Sequence, residues 1–115
     1  MLADPQTVTV SAVAQNMPAT FRGSNESKYT EDVGEYDLHI SHQYGTRTRR
    51  VVRMNHTKIA ADPITAVNAS VSASMYVVID EPKWGFTDAE LEADLLGFFA
   101  WLDAAKRAKV LGGES

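Results

Sequence analysis

From Ser70 to Asp80 the chain reads SVSASMYVVID, and apolar side chains fall on every second position: Val71, Ala73, Met75, Val77 and Ile79. A period of two belongs to an extended strand, whose successive side chains point to opposite faces. Ser70, Ser72, Ser74, Tyr76 and Asp80 line the other face, with Val78 the one exception to its polarity. Such a strand needs a sheet around it and a cover over its apolar side.

Only one segment can supply the cover. Thr87-Asp88-Ala89-Glu90 is a capping-box sequence, in which the first hydroxyl and the last carboxylate satisfy free N–H groups at a helix start. Leu91, Leu95, Phe98, Leu102 and Ala105 follow at helical spacing, and Phe99 and Trp101 widen the stripe. Asp88, Glu90, Glu92 and Asp94 occupy the first turns and Lys106, Arg107 and Lys109 the last, each complementing the helix dipole. A helical segment is expected over 87–111, ended by Gly112-Gly113, with Gly97 a position where it could bend or break. Trp84 and Phe86, between strand and helix, read as a packing plug.

Most of the remaining chain is extended. Val8, Val10 and Ala12 alternate with Thr7, Thr9 and Ser11, and Gln15-Asn16-Met17-Pro18 reads as a turn with Ala19 to Arg22 returning, an N-terminal hairpin over 1–23. Ser24 to Glu35 is polar and acidic, with a short strand around Lys28 to Thr30. Tyr36, Leu38, Ile40 and His42 alternate with Asp37, His39, Ser41 and Gln43, and Gly45 turns this strand antiparallel into the next. Ala61 to Ala69 reads as a loop built on Asp62-Pro63. At 115 residues the chain is expected to be a single α+β domain. Its expected architecture is an antiparallel meander sheet over 24–82, preceded by the hairpin and followed by one or two C-terminal helices.

Thr46 to Lys58, TRTRRVVRMNHTK, holds five of the eleven basic residues and no acid in a chain of net charge −4. Alternation puts Arg47, Arg49, Val51, Arg53 and Asn55 on one face and Arg50, Val52, Met54 and His56 on the other. Three arginines on one strand face form a flat cationic platform suited to phosphate, which a guanidinium grips through a planar fork of donors. The alternative is a solvated edge strand whose charges prevent aggregation. Residues 1–45 carry six acids and two bases, and residues 61–115 nine acids and four bases. A fold that separates these segments is electrically two-faced, as suits a layer with polyanion on one side.

Histidines invite a catalytic reading, with His39 or His56 beside Asp37 or Glu35 as an acid–base pair. Strand parity opposes it, since His39 shares the polar face while His42 and His56 lie on the other. No third ligand has the spacing to complete a metal site with His42 and His56. No enzyme activity, cofactor, metal or small-molecule substrate is therefore expected. With no cysteine there is no disulfide or thiolate site. No apolar run approaches the roughly 20 residues of a membrane span, and MLADPQTVTV has no signal-peptide character, so no membrane partner is expected and the protein is expected to be soluble and cytosolic where it is made.

The apolar surface does not balance within one copy. Four or five strands present a face wider than one helical hairpin covers, while a helix stripe with two Phe, a Trp and three Leu is broad for so small a chain. Leu91, Leu95, Phe98, Phe99, Trp101 and Leu102 are the expected dimer interface, each copy's helices crossing its partner's sheet.

This order of elements resembles the coat proteins of single-stranded RNA bacteriophages, the leviviruses and their relatives. The resemblance covers nearly the whole chain. It rests on the strand TRTRRVVRMN, the strand SVSASMYVVIDEP ending in Pro82, the helix start Gly85-Phe86-Thr87 and the terminal KVLGGES. It implies an antiparallel sheet continued across a homodimer, interlocked helices on its outer side, and an inner face turned toward single-stranded genomic RNA within an icosahedral shell, hence a virion protein made in the bacterial host cytoplasm. It further implies a dimer able to bind a stem-loop at the replicase start, repressing translation and marking the genome.

Carried over by position, the RNA-facing residues are His39, Ser41 and Gln43, then Arg47, Arg49, Arg53 and Asn55, then Ser72, Ser74 and Tyr76. The arginines would neutralise phosphates, Tyr76 could stack on an unpaired base or simply pack across strands, and the serines could bond phosphate, sugar or base edges. Asp37 departs from the pattern, because a carboxylate repels phosphate; either the RNA path avoids it or it holds an arginine in place. Asp62, Pro63, Ile64, Thr65, Val67 and Asn68 would form the inter-dimer loop, shorter here than in relatives. Outside this family, a small dimeric RNA-binding regulator would keep the arginine face without assembling.

Overall fold

The computed structural model describes residues 2–115. The chain divides into two units, Met1–Glu81 and Pro82–Ser115.

The first unit begins with a hairpin of β1 (Gln6–Val10) and β2 (Val13–Met17), paired antiparallel from Gln6 opposite Met17 to Val10 opposite Val13. Ser11 and Ala12 make the turn, both left-handed at φ 50° and 63°. Two left-handed residues twist a two-residue turn in the sense of the flanking strands. The turn expected at Gln15 to Pro18 is thus corrected: Gln15, Asn16 and Met17 lie in β2, and Pro18 links it to the next strand. Ala19 to Arg22 does not complete the hairpin either.

That segment is β3 (Ala19–Arg22), the edge of a five-stranded sheet ordered β3, β4 (Glu26–Thr30), β5 (Tyr36–Tyr44), β6 (Arg47–Ala61) and β7 (Asn68–Pro82). Each strand pairs with its sequence neighbour, the meander expected. The β3–β4, β4–β5 and β5–β6 pairings are antiparallel. Arg47 at the start of β6 contacts Asp80 near the end of β7, and Arg53 contacts Ser74 near the middle of both strands, so this pair is antiparallel too. The β6–β7 loop is residues 62–67, and Asn68, expected in the loop, opens β7. Asp62 organises it, its Oδ1 accepting from the N–H groups of Ile64 and Thr65.

Register sorts the side chains onto two faces. Tyr36, Leu38 and Ile40 on β5 stand opposite His56, Met54 and Val52 on β6, and Leu38 stands opposite Tyr29 on β4. Met17, Tyr29 and Tyr36 are the buried apolar residues of this face, with Val8, Val10, Ala19, Leu38 and Ile40 packed against them. The N-terminal hairpin thus supplies Met17, Val8 and Val10 to the core. Tyr36 stacks on His56 with ring centroids 4.2 Å apart and planes 9° from parallel.

The core is small for a chain of this length. Val71 and Met75 of β7, whose parity matches this apolar face, are exposed. So are Trp84 and Phe86, Trp84 at 85%, and neither acts as the expected packing plug within a single copy.

The second unit holds α1 (Asp88–Trp101) and α2 (Ala104–Leu111). Thr87 caps α1 as its capping-box sequence predicts, the hydroxyl accepting from the Glu90 N–H at 3.2 Å. The helix runs through Gly97 unbroken and ends at Leu102, where Asp103 starts a new one. Asp103 Oδ1 accepts from the Lys106 N–H at 3.0 Å, offering the backbone an N-cap that a continuous helix would forfeit. Arg107 closes the corner by donating to the Leu102 carbonyl at 2.6 Å, and Lys106 Nζ lies 4.8 Å from the centre of the Trp101 ring. The bases expected at the end of one long helix therefore belong to α2, and α1 has none in its last turn. No residue of either helix is buried.

Candidate nucleic-acid interface

The β5–β6 register places Asp37 opposite Asn55, His39 opposite Arg53, Ser41 opposite Val51 and Gln43 opposite Arg49. Residues directly opposite in a ladder share a face, so the structure brings His39, Ser41, Gln43, Arg49, Arg53 and Asn55 together, as alternation predicts. From β7, Ser74 and Tyr76 join them. Arg53 Nη2 reaches Ser74 Oγ at 3.4 Å, and the Arg53 guanidinium carbon lies 5.0 Å from the centre of the Tyr76 ring. Ser72 follows by the same parity. Arg47 lies here as well, its Nε donating to Asp80 Oδ1 at 3.0 Å.

Three carboxylates thin the charge that alternation within β6 suggests. Asp80 neutralises Arg47. Glu26 lies 3.4 Å from His39 Nε2, and β4 also places Lys28 on this face, opposite His39. Neither Glu26 nor Lys28 is among the residues the sequence places on this face: the short strand expected around Lys28 to Thr30 starts two residues earlier, at Glu26, and buries Ser27 and Tyr29 on its other side. Asp37 is the third.

Asp37 is engaged rather than free. Its Oδ1 accepts a short hydrogen bond from Asn55 Nδ2, while Asn55 Oδ1 accepts from Arg53 Nε at 2.8 Å and from Ser74 Oγ at 2.6 Å. A guanidinium can only donate and a carboxylate can only accept, so the Asn55 amide has one consistent orientation. A directional chain therefore runs from Arg53 and Ser74 through Asn55 to Asp37. Arg49, by contrast, is exposed, and its side chain has no hydrogen-bond or ion-pair partner among the described residues.

Arg50 faces the other way. It pairs with Glu81 at 3.0 Å and donates through Nη1 to His42 Nδ1 at 3.1 Å, which requires that nitrogen to be an unprotonated acceptor. The Tyr44 side chain, against an opposing loss of hydration, and the Glu81 carboxylate raise the Arg50 pKa above its ordinary value. The cationic segment is thus divided: Arg47, Arg49 and Arg53 on the polar face, Arg50 held in an ion pair on the other. His39, His42 and His56 sit in separate surroundings, and no group of three or more metal-ligating side chains occurs among the described residues.

The helix residues expected at a dimer interface differ in exposure. Leu91, Leu95 and Leu102 are half-buried, whereas Phe98, Phe99 and Trp101 are exposed at 57%, 49% and 53%. Phe98 stacks on Trp101 at 6.3 Å and meets Phe99 edge-on at 6.1 Å, a continuous aromatic cluster. Leu96, outside the expected stripe, is 73% exposed. In the β6–β7 loop, Ile64 is 94% exposed.

No protein-family model matches the chain, and no curated protein matches it. Solved structures do. The fold is similar to that of a virus-like particle of bacteriophage AVE019, at TM-score 0.85 and 11% identity, covering 98% of this chain and 97% of that one. It is also similar to a virus-like particle of Beihai levi-like virus 21, at TM-score 0.73 and 8% identity over 100% of this chain and 98% of that one. A third match is the coat protein of bacteriophage EMS014, at TM-score 0.67 and 15% identity over 90% and 78% of the two chains. The chain therefore has the fold of levi-like phage coat proteins from the N-terminal hairpin through the C-terminal helices.

Proposed function

We propose that this chain is the coat protein of a single-stranded RNA phage, a structural protein of the virion rather than an enzyme. The full-length match to proteins of virus-like particles carries this reading. The exposed apolar surface supports it as well. The single copy buries few apolar side chains and leaves Phe98, Phe99, Trp101, Val71 and Met75 exposed, more than a stable monomer leaves open. A homodimer in which each copy's helices cross its partner's sheet closes both surfaces, with Leu91, Leu95, Phe98, Phe99, Trp101 and Leu102 at its centre. The loop carrying Ile64 is then free to join dimers into an icosahedral shell, with Asp62, Pro63, Thr65 and Val67 around it.

The polar face turns inward and holds genomic RNA. Arg49 and Arg53, with Arg47 when released from Asp80, contact phosphates, and His39, Ser41, Gln43, Asn55, Ser72, Ser74 and Tyr76 offer donors, acceptors and a ring to sugars and bases. A hairpin that docks on this face of a dimer would let the same protein repress translation. Synthesis takes place in the host cytoplasm and the mature location is the virion.

Negative-stain electron microscopy of the protein expressed alone tests assembly. Closed shells of one diameter are expected. A population containing only dimers that bind RNA would overturn the coat reading in favour of a non-assembling RNA-binding regulator.

A further inference from the structure

Asp37 is the least expected residue on a surface read as RNA-binding, and its surroundings define a role for it. Its carboxylate accepts from Asn55 Nδ2, and Asn55 in turn accepts from Arg53 Nε and Ser74 Oγ. Two donors saturate the Asn55 oxygen, so the amide cannot rotate without losing bonds at both ends. Arg53 is then held on three sides: Asn55 at Nε, Ser74 at Nη2 and the Tyr76 ring across its plane. Its Nη1 has no partner among the described residues and remains to donate. Arg49, directly opposite Gln43, has no such restraint.

We infer that Asp37 is a positioning residue for RNA recognition, acting through Asn55 to fix the Arg53 guanidinium over Tyr76 as a preformed fork and stacking plane for a phosphate or an unpaired base. This rests on the polar face being the RNA surface and divides the labour within it. Arg49 is a mobile counter-charge that senses RNA only as polyanion. Arg53 is a fixed contact whose entropy of ordering is spent in folding rather than in binding. A carboxylate beneath a cationic face is then useful, because the cost of its repulsion toward phosphate is offset by what it orients.

The sign of one substitution separates this role from simple charge. If Asp37 only repels RNA, Asp37→Ala strengthens binding; if it positions Arg53, the same change weakens it. A short fluorescein-labelled single-stranded RNA of mixed sequence, titrated by fluorescence anisotropy against the full-length chain, is the probe. Asp37→Ala is expected to weaken binding about fivefold, and to lose that effect or reverse its sign in an Arg53→Ala background, the coupling expected of residues in one hydrogen-bond network. Asp37→Asn keeps an oxygen for the Asn55 amide without the charge and is expected to bind at least as tightly as the wild type.

Should Asp37→Ala lose the wild-type circular dichroism spectrum, Asn55→Ala breaks the same chain one link on and is read against Arg53→Ala in the same way. Unchanged or stronger binding by Asp37→Ala, with Arg49→Ala and Arg53→Ala still weakened, overturns the positioning role and leaves the RNA surface standing. Unchanged binding by all three variants removes the surface itself, and the positioning role with it.

Discussion

Arg47 and Asp80 meet across β6 and β7 with Nε 3.0 Å from Oδ1, both side chains more than half exposed at 55% and 56%. So open a pair adds less than about 1 kcal/mol to folding. Its larger effect is on charge, since it silences one of the three guanidinium groups on the polar face.

Asp80→Asn therefore separates folding from binding. Urea denaturation is expected to shift by less than about 1 kcal/mol. RNA affinity should rise, and the slope of log affinity against log salt should steepen by about 0.7 as Arg47 gains a phosphate on a single strand. An unchanged slope would place Arg47 off the RNA path.

Arg49→Ala removes an unpaired side chain. Stability is expected to stay within about 0.5 kcal/mol, as for surface positions without a structural role, while the salt slope falls by about 0.7. Salt titrations of RNA binding measure this, and an unaltered slope would exclude Arg49 from the site.

Phe98→Asp places a carboxylate in the exposed aromatic cluster formed with Phe99 and Trp101. A monomer would tolerate it, because the position is open to water. A dimer that covers Phe98 would have to bury an unpaired charge, so dimerisation should be lost in sedimentation velocity. Persistent dimers would show that another part of the helix forms the interface.

Met17→Ala tests the small core. Met17 is fully buried between the hairpin and the sheet face carrying Tyr29 and Tyr36, and its truncation is expected to cost about 2–5 kcal/mol in chemical denaturation. A loss below about 1 kcal/mol would mean that the hairpin contributes little to folding.

Asp103 links the helix corner to pH. The Lys106 backbone N–H lowers its pKa from the ordinary 3.8 against an opposing loss of hydration, and the charges of Lys106 and Arg107 add to the lowering. The folded state thus favours the carboxylate. Its stabilising effect is complete above the ordinary value and is lost as pH falls through the lowered one, so α2 should fray only below about pH 4. Circular dichroism across that range should show the loss, and Asp103→Ala should show the frayed signal at neutral pH.

The long strands were legible because their alternation is strong: β5 carries the residues expected, and the register pairs His39 with Arg53 and Gln43 with Arg49 as parity implies. The hairpin turn lies upstream of the strongest local turn signal. Asn16 and Pro18 carry stronger turn chemistry than Ser11 and Ala12, yet the left-handed turn falls on the latter pair. At the C-terminus, Gly97 is the weaker helix former, yet the break is set by the capping side chain of Asp103. The candidate site was readable as a face but not as a network. Which acid meets which base depends on neighbours far apart in sequence, such as Asp80 with Arg47, and no local pattern encodes that. The role of Asn55 as the link between Asp37 and Arg53 emerges only when the strands are paired.

Sedimentation of the recombinant protein through a density gradient, with absorbance at 260 and 280 nm read in every fraction, tests the coat reading most directly. The predicted result is one fast, uniform peak with nucleic-acid absorbance, composed of this chain and RNA. A slow, RNA-free species that persists when RNA is supplied at low salt would contradict it.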